Sequence, residues 1–280
     1  MEKETREKEL LFLGSSGGIQ VPSFHCSCST CEEARKNPNL QRTRASVVLV
    51  GDEIILIDPT PDVEAQLERE RISEIDRIFL THWHYDHCWG LGAFVEPGSH
   101  GIWKKKKIEL YLHESYIEFF KRDFAWMSGR YNLHPIKPGD KINLPDATWE
   151  AVKTTHTPTS MGYIAELNNG KKFAYLLDSI VPPPKTIDRL KGLDFIILEG
   201  TLDEMILPEG ETWYNFQLAD AIKFWKSLNI PSCILTHLSC HKWEIDKLVA
   251  GIKPSERKEY ELKNEGLKFA YDGLRISLSL

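Results

Sequence analysis

The chain has 280 residues, 41% of them hydrophobic and 10% aromatic, a globular composition that needs no disulfide bonds for stability. Its formal net charge of −6 argues against a protein that coats nucleic acid through a broad basic surface. The charged N-terminus has no apolar signal segment, and no apolar run is long enough to span a membrane. We therefore expect one cytoplasmic domain over residues 1–280, with neither membrane nor nucleic acid as a partner.

The first half of the chain is predicted to form strands joined by tight turns, with two helices. The strands are predicted at 9–13, 45–50, 53–57, 76–81 and 109–112, and the helices at 61–71 and 114–123. Gly51-Asp52, between the second and third strands, is typical of a hairpin turn.

In the second half, predicted strands alternate with helical segments. The strands are predicted at 148–154, 162–167, 172–177, 195–198 and 233–236, with an amphipathic helix at 212–228. The chain then ends in a predicted hairpin, 267–271 and 274–278, around Asp272-Gly273. This mixture indicates an α/β (α+β) protein with two sheets packed together and helices outside.

Four potential metal ligands follow the predicted strand 76–81 within six residues: His82, His84, Asp86 and His87. Because alternate residues of an extended segment point the same way, His82 and His84 can share one metal ion. The chain then turns, so that Asp86 and His87 can face a second. Imidazole and carboxylate ligands suit zinc, manganese or iron. The alternative is a polar loop that carries histidines by chance, which three histidines in six positions make improbable.

This His-x-His-x-Asp-His motif, followed by Gly90-Leu91, resembles the metallo-β-lactamase superfamily, and the resemblance extends through nearly the whole chain. It implies a four-layer αβ/βα sandwich with the site at one edge. It implies that His156 completes the first metal site, that His237 completes the second, and that Asp178 bridges them. Asp58 ends a segment similar to a buried strand of that superfamily, and would orient residues 82–87, the metal loop.

A second cluster, Cys26-x-Cys28-x-x-Cys31, has three thiols at a spacing that can wrap one structural zinc ion. In a reducing compartment such a cluster indicates metal before disulfide. Zinc needs a fourth ligand, and Cys240 and His241 are the candidates nearby on the predicted fold. The alternative is a set of free buried cysteines or a redox pair. Cys88 and Cys233 lie beside apolar residues and are expected in the core.

The cysteine loop resembles one branch of the superfamily, the PhnP-type cyclic phosphodiesterases, and is also similar to that of the pyrroloquinoline quinone biosynthesis B proteins. In the PhnP-type pattern a histidine three residues after the last metal ligand completes the zinc site. Here that position is Cys240, so the preference for His241 is narrow. A further phosphate-contacting histidine of that branch is absent, and the matching place reads Trp213-Tyr214-Asn215.

These patterns predict a hydrolase with two catalytic divalent metals (Zn, Mn or Fe) and one structural zinc. The predicted substrate is a small cyclic or linear phosphodiester, attacked by a metal-bridging hydroxide, with Asp86 and Asp178 as catalytic residues. Hydrolysis of an ester, thioester or amide bond is the alternative reaction, and an accessory role in cofactor biosynthesis is the alternative class. The resemblance to the PhnP-type branch also implies a possible homodimer.

Overall fold

The computed structural model describes residues 7–95, 106–201, 214–240 and 254–279. Its strands in chain order are β1 (Glu9–Gly14), β2 (Ser46–Val50), β3 (Ile54–Ile57), β4 (Arg77–Phe79), β5 (Ile108–His113), β6 (Tyr131–Ile136), β7 (Lys141–Asn143), β8 (Ala147–Lys153), β9 (Met161–Leu167), β10 (Lys172–Leu176), β11 (Phe195–Glu199), β12 (Ser232–Thr236), β13 (Leu267–Phe269) and β14 (Arg275–Ser277). Its α-helices are α1 (Ser29–Lys36), α2 (Val63–Glu70), α3 (Tyr85–Cys88), α4 (Ile117–Asp123), α5 (Ala125–Ser128), α6 (Pro184–Arg189), α7 (Leu218–Ser227) and α8 (Pro254–Lys263).

The strands form two seven-stranded sheets of mixed direction. The first has the order β14-β1-β2-β3-β4-β5-β6, and the second has the order β13-β12-β11-β10-β9-β8-β7. The hairpin predicted at Gly51-Asp52 is confirmed, because β2 and β3 pair antiparallel across that turn. From β3 to β6 the strands of the first sheet run parallel, as do β10 to β13 in the second.

Apolar side chains alternate between the two faces of each sheet, and this alternation creates four layers. In β1, Leu10 and Phe12 belong to the core between the sheets, whereas Leu11 and Leu13 pack in the cluster on the outer, helical side. The outer face of the second sheet is covered in the same way, with residues of α7 in its cluster. The predicted αβ/βα sandwich is confirmed. Among the described residues, no helix combines the length and apolar character that crossing a membrane requires.

The carboxyl ends of neighbouring parallel strands meet at one edge of the sandwich. Asp58 follows β3, Asp178 lies just past β10, and His237 follows β12. All three have a positive φ, of 60°, 48° and 58° respectively, which is unusual for residues other than glycine. Such conformations cost on the order of 1–3 kcal/mol each and concentrate at functional sites. They turn the chain sharply where each strand ends.

The predicted C-terminal hairpin is wrong. β13 pairs parallel with β12 in the second sheet, whereas β14 pairs antiparallel with β1 in the first. The turn at Asp272-Gly273 therefore carries the chain from one sheet to the other. The Asp272 carboxylate accepts hydrogen bonds from Thr43 N (2.7 Å) and Ser15 Oγ (2.9 Å), which ties this turn to the glycine-rich loop, residues 14–18. A local pattern of two apolar runs around a turn cannot reveal which strand each run joins.

Four further elements differ from the sequence prediction. The amphipathic helix begins at Leu218 rather than at Thr212, and residues 212 and 213 lie outside the described part. Helix α1 and the strands β6 and β7 had no clear sequence signal. In β6, Pro135 interrupts the pattern and is tolerated because this strand forms the edge of its sheet.

Candidate metal centre

Three histidines meet on the solvent-exposed side of the sandwich edge at which the parallel strands end. The ligand atoms of His82, His84 and His156 all lie within 4.8 Å of one another, and His84 Nδ1 is 3.1 Å from His156 Nε2. The Nδ1 atom of His156 is 3.3 Å from the carbonyl oxygen of Tyr214, which can accept its proton and leave Nε2 available to a cation. His84 is exposed and His156 is half-buried, so solvent reaches this group.

A second group lies deeper, and consists of Asp86, His87 and His237. The Oδ2 atom of Asp86 is 3.2 Å from His87 Nε2 and 3.5 Å from His237 Nε2. Both imidazoles are buried, at 1% and 4% exposure. The fold thus collects residues of the metal loop and of the loop after β12.

Asp178 lies between the two groups. Its Oδ2 atom is 2.7 Å from His87 Nε2 and 3.5 Å from His237 Nε2, and it also forms a cluster with His82 and His87. One buried carboxylate therefore contacts ligand candidates from both sides. All seven residues singled out in the sequence are brought together here.

The polar atoms that point into this centre fit a cation. Four of them are buried and, within the described ranges, none makes a hydrogen bond of good geometry, although Asp178 Oδ2 lies 2.7 Å from His87 Nε2: His82 Nε2, His87 Nε2, His237 Nε2 and Asp178 Oδ2. A buried polar atom without a partner costs about 1–3 kcal/mol, which divalent cations bound among them would offset. Imidazole and carboxylate donors suit zinc, manganese or iron.

Burial and neighbouring carboxylates have opposite effects on the pKa values of the buried histidines of the centre. Burial disfavours the charged forms of His82, His87, His156 and His237, and at His82 it lowers the pKa well below the usual value. At His87 and His237 the carboxylates outweigh burial. Asp86, followed by Asp178, raises the pKa of His87, and Asp178 with Asp86 raises the pKa of His237 to about 9. A cation that binds here displaces protons.

Asp58 orients the metal loop from behind, as the resemblance implied. Its Oδ2 atom is 2.9 Å from His87 Nδ1, and its carboxylate also accepts hydrogen bonds from Thr81 N and Thr81 Oγ1, both at 2.8 Å. Thr81 Oγ1 is in turn 3.0 Å from His82 Nδ1. The Nδ1 protons of both histidines can therefore be held, so that their Nε2 atoms point into the centre.

The glycine-rich loop closes the centre from the N-terminal side. A Cβ atom at Gly17 would lie 2.4 Å from Ser239 Oγ and 3.3 Å from the His237 ring. A Cβ atom at Gly18 would lie 3.3 Å from Asp86 Oδ2. A side chain at Gly17 would therefore force Ser239 to move and would press against the His237 ring.

Three polar residues of the site were missed by sequence reasoning or given no role: Glu199, Thr201 and Asn215. Glu199 is fully buried at the end of β11, and its Oε2 atom accepts hydrogen bonds from Thr201 Oγ1 (2.6 Å) and Asn215 Nδ2 (2.7 Å). Asn215 Nδ2 also donates to Asp178 Oδ1 at 2.5 Å. The available signal was a carboxylate directly after four apolar residues of a buried strand.

The place of the absent PhnP-type histidine is therefore only partly described. The Asn215 amide donates hydrogen bonds to the carboxylates of Asp178 and Glu199. Tyr214 is 45% exposed, and its carbonyl oxygen faces His156. Trp213 lies outside the described residues. The Tyr214 carbonyl acts on His156, and no described hydrogen bond involves its phenol oxygen.

The cysteine cluster forms a separate candidate site. The Sγ atoms of Cys26, Cys28, Cys31 and Cys240 all lie within 4.8 Å of one another, whereas His241 lies outside the described residues. Tetrahedral zinc with Zn–S bonds of about 2.3 Å separates its sulfur ligands by roughly 3.8 Å, so the four thiols fit one ion. None of the six cysteines, all within the described ranges, forms a disulfide.

The remaining cysteines pack as predicted. Cys88 and Cys233 are 3% and 0% exposed and belong to the apolar clusters on the outer faces of the two sheets. Burial raises their pKa values, so both thiols stay neutral.

Arg42 places a buried positive charge near the cysteine cluster. Its Nη2 atom donates to the Leu238 carbonyl oxygen at 3.2 Å. Burial lowers the pKa of Arg42 to about 10, against the attraction of Asp272 and of the thiolates, first among them that of Cys240. A zinc ion with four thiolates carries a net charge of about −2, which this guanidinium offsets in part.

Known proteins share both the sequence pattern and the fold. The chain is 25% identical over 94% of its length to an octanoyltransferase of Porphyromonas gingivalis, but it spans half the length of that protein. It is 24% identical to coenzyme PQQ synthesis protein B of Klebsiella pneumoniae, over 95% of the chain and 97% of that protein. A crystal structure of a diphosphatase from the PhnP family superposes with a TM-score of 0.78 at 26% identity and covers 98% of each chain.

The family itself follows from a match over most of the fold. Residues 53–238, more than half of the chain, match the family model of the beta-lactamase superfamily domain. This range includes the metal loop, Asp178 and His237. The chain therefore belongs to the metallo-β-lactamase superfamily and has its fold.

Proposed function

We propose that this chain is a two-metal hydrolase that cleaves a phosphodiester bond in a small molecule. The observation that carries the proposal is the pair of ligand groups joined by the buried Asp178, with one group open to solvent at His84. Similarity to a diphosphatase of the PhnP family supports phosphorus rather than carbon as the atom attacked.

The chain's own residues supply the positions for this reaction. Two divalent cations, when bound, lower the pKa of a water molecule and offset the charge that develops on phosphate oxygens. His82, His84 and His156 would hold the outer cation, and Asp86, His87 and His237 would hold the inner one. The side chain of Asp86 is 16% exposed, so its carboxylate can accept a hydrogen bond from the attacking water. No nucleophilic serine or cysteine is required.

We assign a structural role to the cysteine cluster. Zinc bound by the four thiols would join the loop before α1 to the segment that follows His237. Because Cys240 lies three residues after His237, that ion would hold the inner ligand loop in place.

The direct test uses bis(p-nitrophenyl) phosphate and a panel of cyclic and linear phosphodiesters, with Zn²⁺ and Mn²⁺ each supplied to the metal-free protein. The wild-type chain is expected to release p-nitrophenol, and His84→Ala is expected to lose this activity. A chain that binds two cations at the histidine–aspartate centre and cleaves none of these compounds would refute the phosphodiester proposal.

A second candidate reaction is hydrolysis of an acyl bond. A cavity of about 530 Å³ adjoins the centre at Asn215 and is lined largely by apolar side chains, among them Ile180, Phe216 and Phe224. Such a cavity suits an acyl chain. A relative named an octanoyltransferase, of which this chain covers half the length, adds an acyl group as a candidate substrate.

Two substrate series separate these readings. A p-nitrophenyl octanoate and an octanoyl thioester are to be assayed beside the phosphodiesters, with the same His84→Ala control. Turnover of the acyl compounds alone would select the second candidate. Metal binding without turnover in either series would favour an accessory role, in line with the similarity to coenzyme PQQ synthesis protein B.

A further inference from the structure

Glu199 is a buried carboxylate that accepts three hydrogen bonds at the rear of the metal centre. Its Oε1 atom accepts from the backbone N–H of Ser179, and its Oε2 atom accepts from Thr201 Oγ1 and Asn215 Nδ2. The residue is 0% exposed. A carboxylate buried this completely is costly unless its partners are fixed, and here they are supplied by two other segments and by a nearby hydroxyl.

The first branch of this network reaches His237. Thr201 Oγ1 is 3.1 Å from His237 Nδ1 and donates its own proton to Glu199 Oε2 at 2.6 Å. Since the hydroxyl proton is committed to the carboxylate, the hydroxyl oxygen must accept the proton of His237 Nδ1. The relay therefore fixes the Nδ1 proton of His237 on Thr201, so that Nε2, which points into the centre, is the atom left to a cation when its own proton is displaced.

The second branch reaches Asp178. Asn215 Nδ2 donates to Asp178 Oδ1 and to Glu199 Oε2, at 2.5 Å and 2.7 Å. The amide therefore holds one oxygen of Asp178 and leaves Oδ2 directed at His87 and His237. Glu199 is thus connected by hydrogen bonds to two ligand candidates, His237 and Asp178.

The same arrangement recurs on the other sheet. There Asp58 Oδ2 accepts from Thr81 Oγ1, which is 3.0 Å from His82 Nδ1. At the carboxyl ends of its parallel strands, each sheet therefore supplies a carboxylate that is hydrogen-bonded to a threonine hydroxyl, which in turn contacts a histidine. Each carboxylate also reaches a second ligand candidate. Asp58 contacts His87 directly, whereas Glu199 reaches Asp178 through Asn215.

We propose that Glu199 is a positioning residue for the inner cation, which acts on His237 through Thr201 and on Asp178 through Asn215. The inference rests on the proposed metal centre, because it assigns partners to two of its ligands. Outer partners of this kind affect metal affinity by roughly 10- to 100-fold.

The test compares three variants of nearly equal shape. Thr201→Val removes the hydroxyl of the relay, whereas Thr201→Ser keeps it. Thr236→Val is the matched control, because Thr236 is also buried, directly precedes His237, and its Oγ1 has no hydrogen-bond partner within the described part of the chain. Metal-free protein is titrated with Co²⁺ by calorimetry, and the unfolding temperature of each metal-free variant is recorded.

Thr201→Val is expected to bind the inner Co²⁺ about 10- to 100-fold more weakly, while Thr201→Ser and Thr236→Val bind it like the wild type. Glu199→Gln, which offers one acceptor oxygen to three donors, is expected to lose at least as much affinity. Unchanged binding by Thr201→Val, or an equal loss in Thr236→Val, would overturn the positioning role. Wild-type protein that binds no Co²⁺ at this centre would instead overturn the proposed function.

Discussion

At the scale of single residues, Asp178 is the side chain on which both ligand groups depend. Because its Oδ2 atom lies between His87 and His237 and near His82, Asp178→Ala removes a donor from both cation positions. We expect hydrolase activity to disappear and the number of bound metals to fall, with the chain still folded. Mass spectrometry of metal content, with circular dichroism of the same sample, measures both.

Wild-type turnover and metal content in Asp178→Ala would contradict this role. Asp146→Asn serves as a control, since Asp146 is also a buried carboxylate but pairs with Lys8 and the turn after β2. Its metal content is expected to match the wild type.

Close backbone approach is a second feature at this scale. Gly17→Ala would place a Cβ atom 2.4 Å from Ser239 Oγ and 3.3 Å from the His237 ring. We expect weaker metal binding because His237 must shift, and the same Co²⁺ titration measures it. Gly129→Ala is the matched substitution, because nothing lies within 4 Å of its Cβ position. Equal affinity of the two variants would show that the loop adapts without moving the ligand.

At the scale of elements, the cysteine cluster connects two segments that are far apart in sequence. We expect Cys28→Ser to lose one zinc ion per chain and to lower the unfolding temperature, since the loop before α1 is released from the segment after β12. Cys233→Ala is the control, because this buried cysteine lies outside the cluster.

Zinc analysis by plasma mass spectrometry and a thermal melt suffice for this comparison. If Cys28→Ser kept its full zinc content, the four thiols would not be the ligands. A selective loss of turnover in a Cys28→Ser variant as stable as the wild type would contradict a structural role.

The elements also show where local pattern is sufficient. The strands from β1 to β4 and from β8 to β12 were predicted close to their observed bounds, because buried strands are short apolar runs ended by polar residues. Helix α1 was missed because it is short and mostly polar. The C-terminal strands were assigned to each other because a turn signal indicates a change of direction and cannot indicate the partner.

At the scale of the whole molecule, the two sheets are held together by an aromatic cluster at the middle of the sandwich. The ring of Phe79, from the first sheet, lies 5.2 Å from that of Trp149 and 5.1 Å from that of Tyr163, both from the second. Phe79→Ala is expected to lower the free energy of unfolding by about 3–5 kcal/mol, through lost contacts and the cavity left behind.

Urea unfolding of the metal-loaded protein measures this change. Phe24→Ala is the matched control, because the Phe24 side chain is 85% exposed, and its cost is expected to be within about 0.5 kcal/mol. Similar losses in both variants would show that Phe79 does not join the sheets.

The amino-acid sequence by itself determined the local features: the four-ligand metal loop after β4, the cysteine loop, and the strands whose ends carry Asp58, Asp178 and His237. These features are short-range, because ligands two to five residues apart need only one extended segment and one turn. The resemblance to the superfamily assigned His156, Asp178 and His237 to the metal sites, whereas only the tertiary structure showed their hydrogen-bond partners and the fourth cysteine of the second cluster. Glu199, Thr201 and Asn215 have no motif, and Cys240 joins cysteines more than 200 positions earlier because strand order brings their loops to one edge. Hydrogen-bond partners and sheet neighbours depend on packing across the whole chain, which no local window of sequence contains.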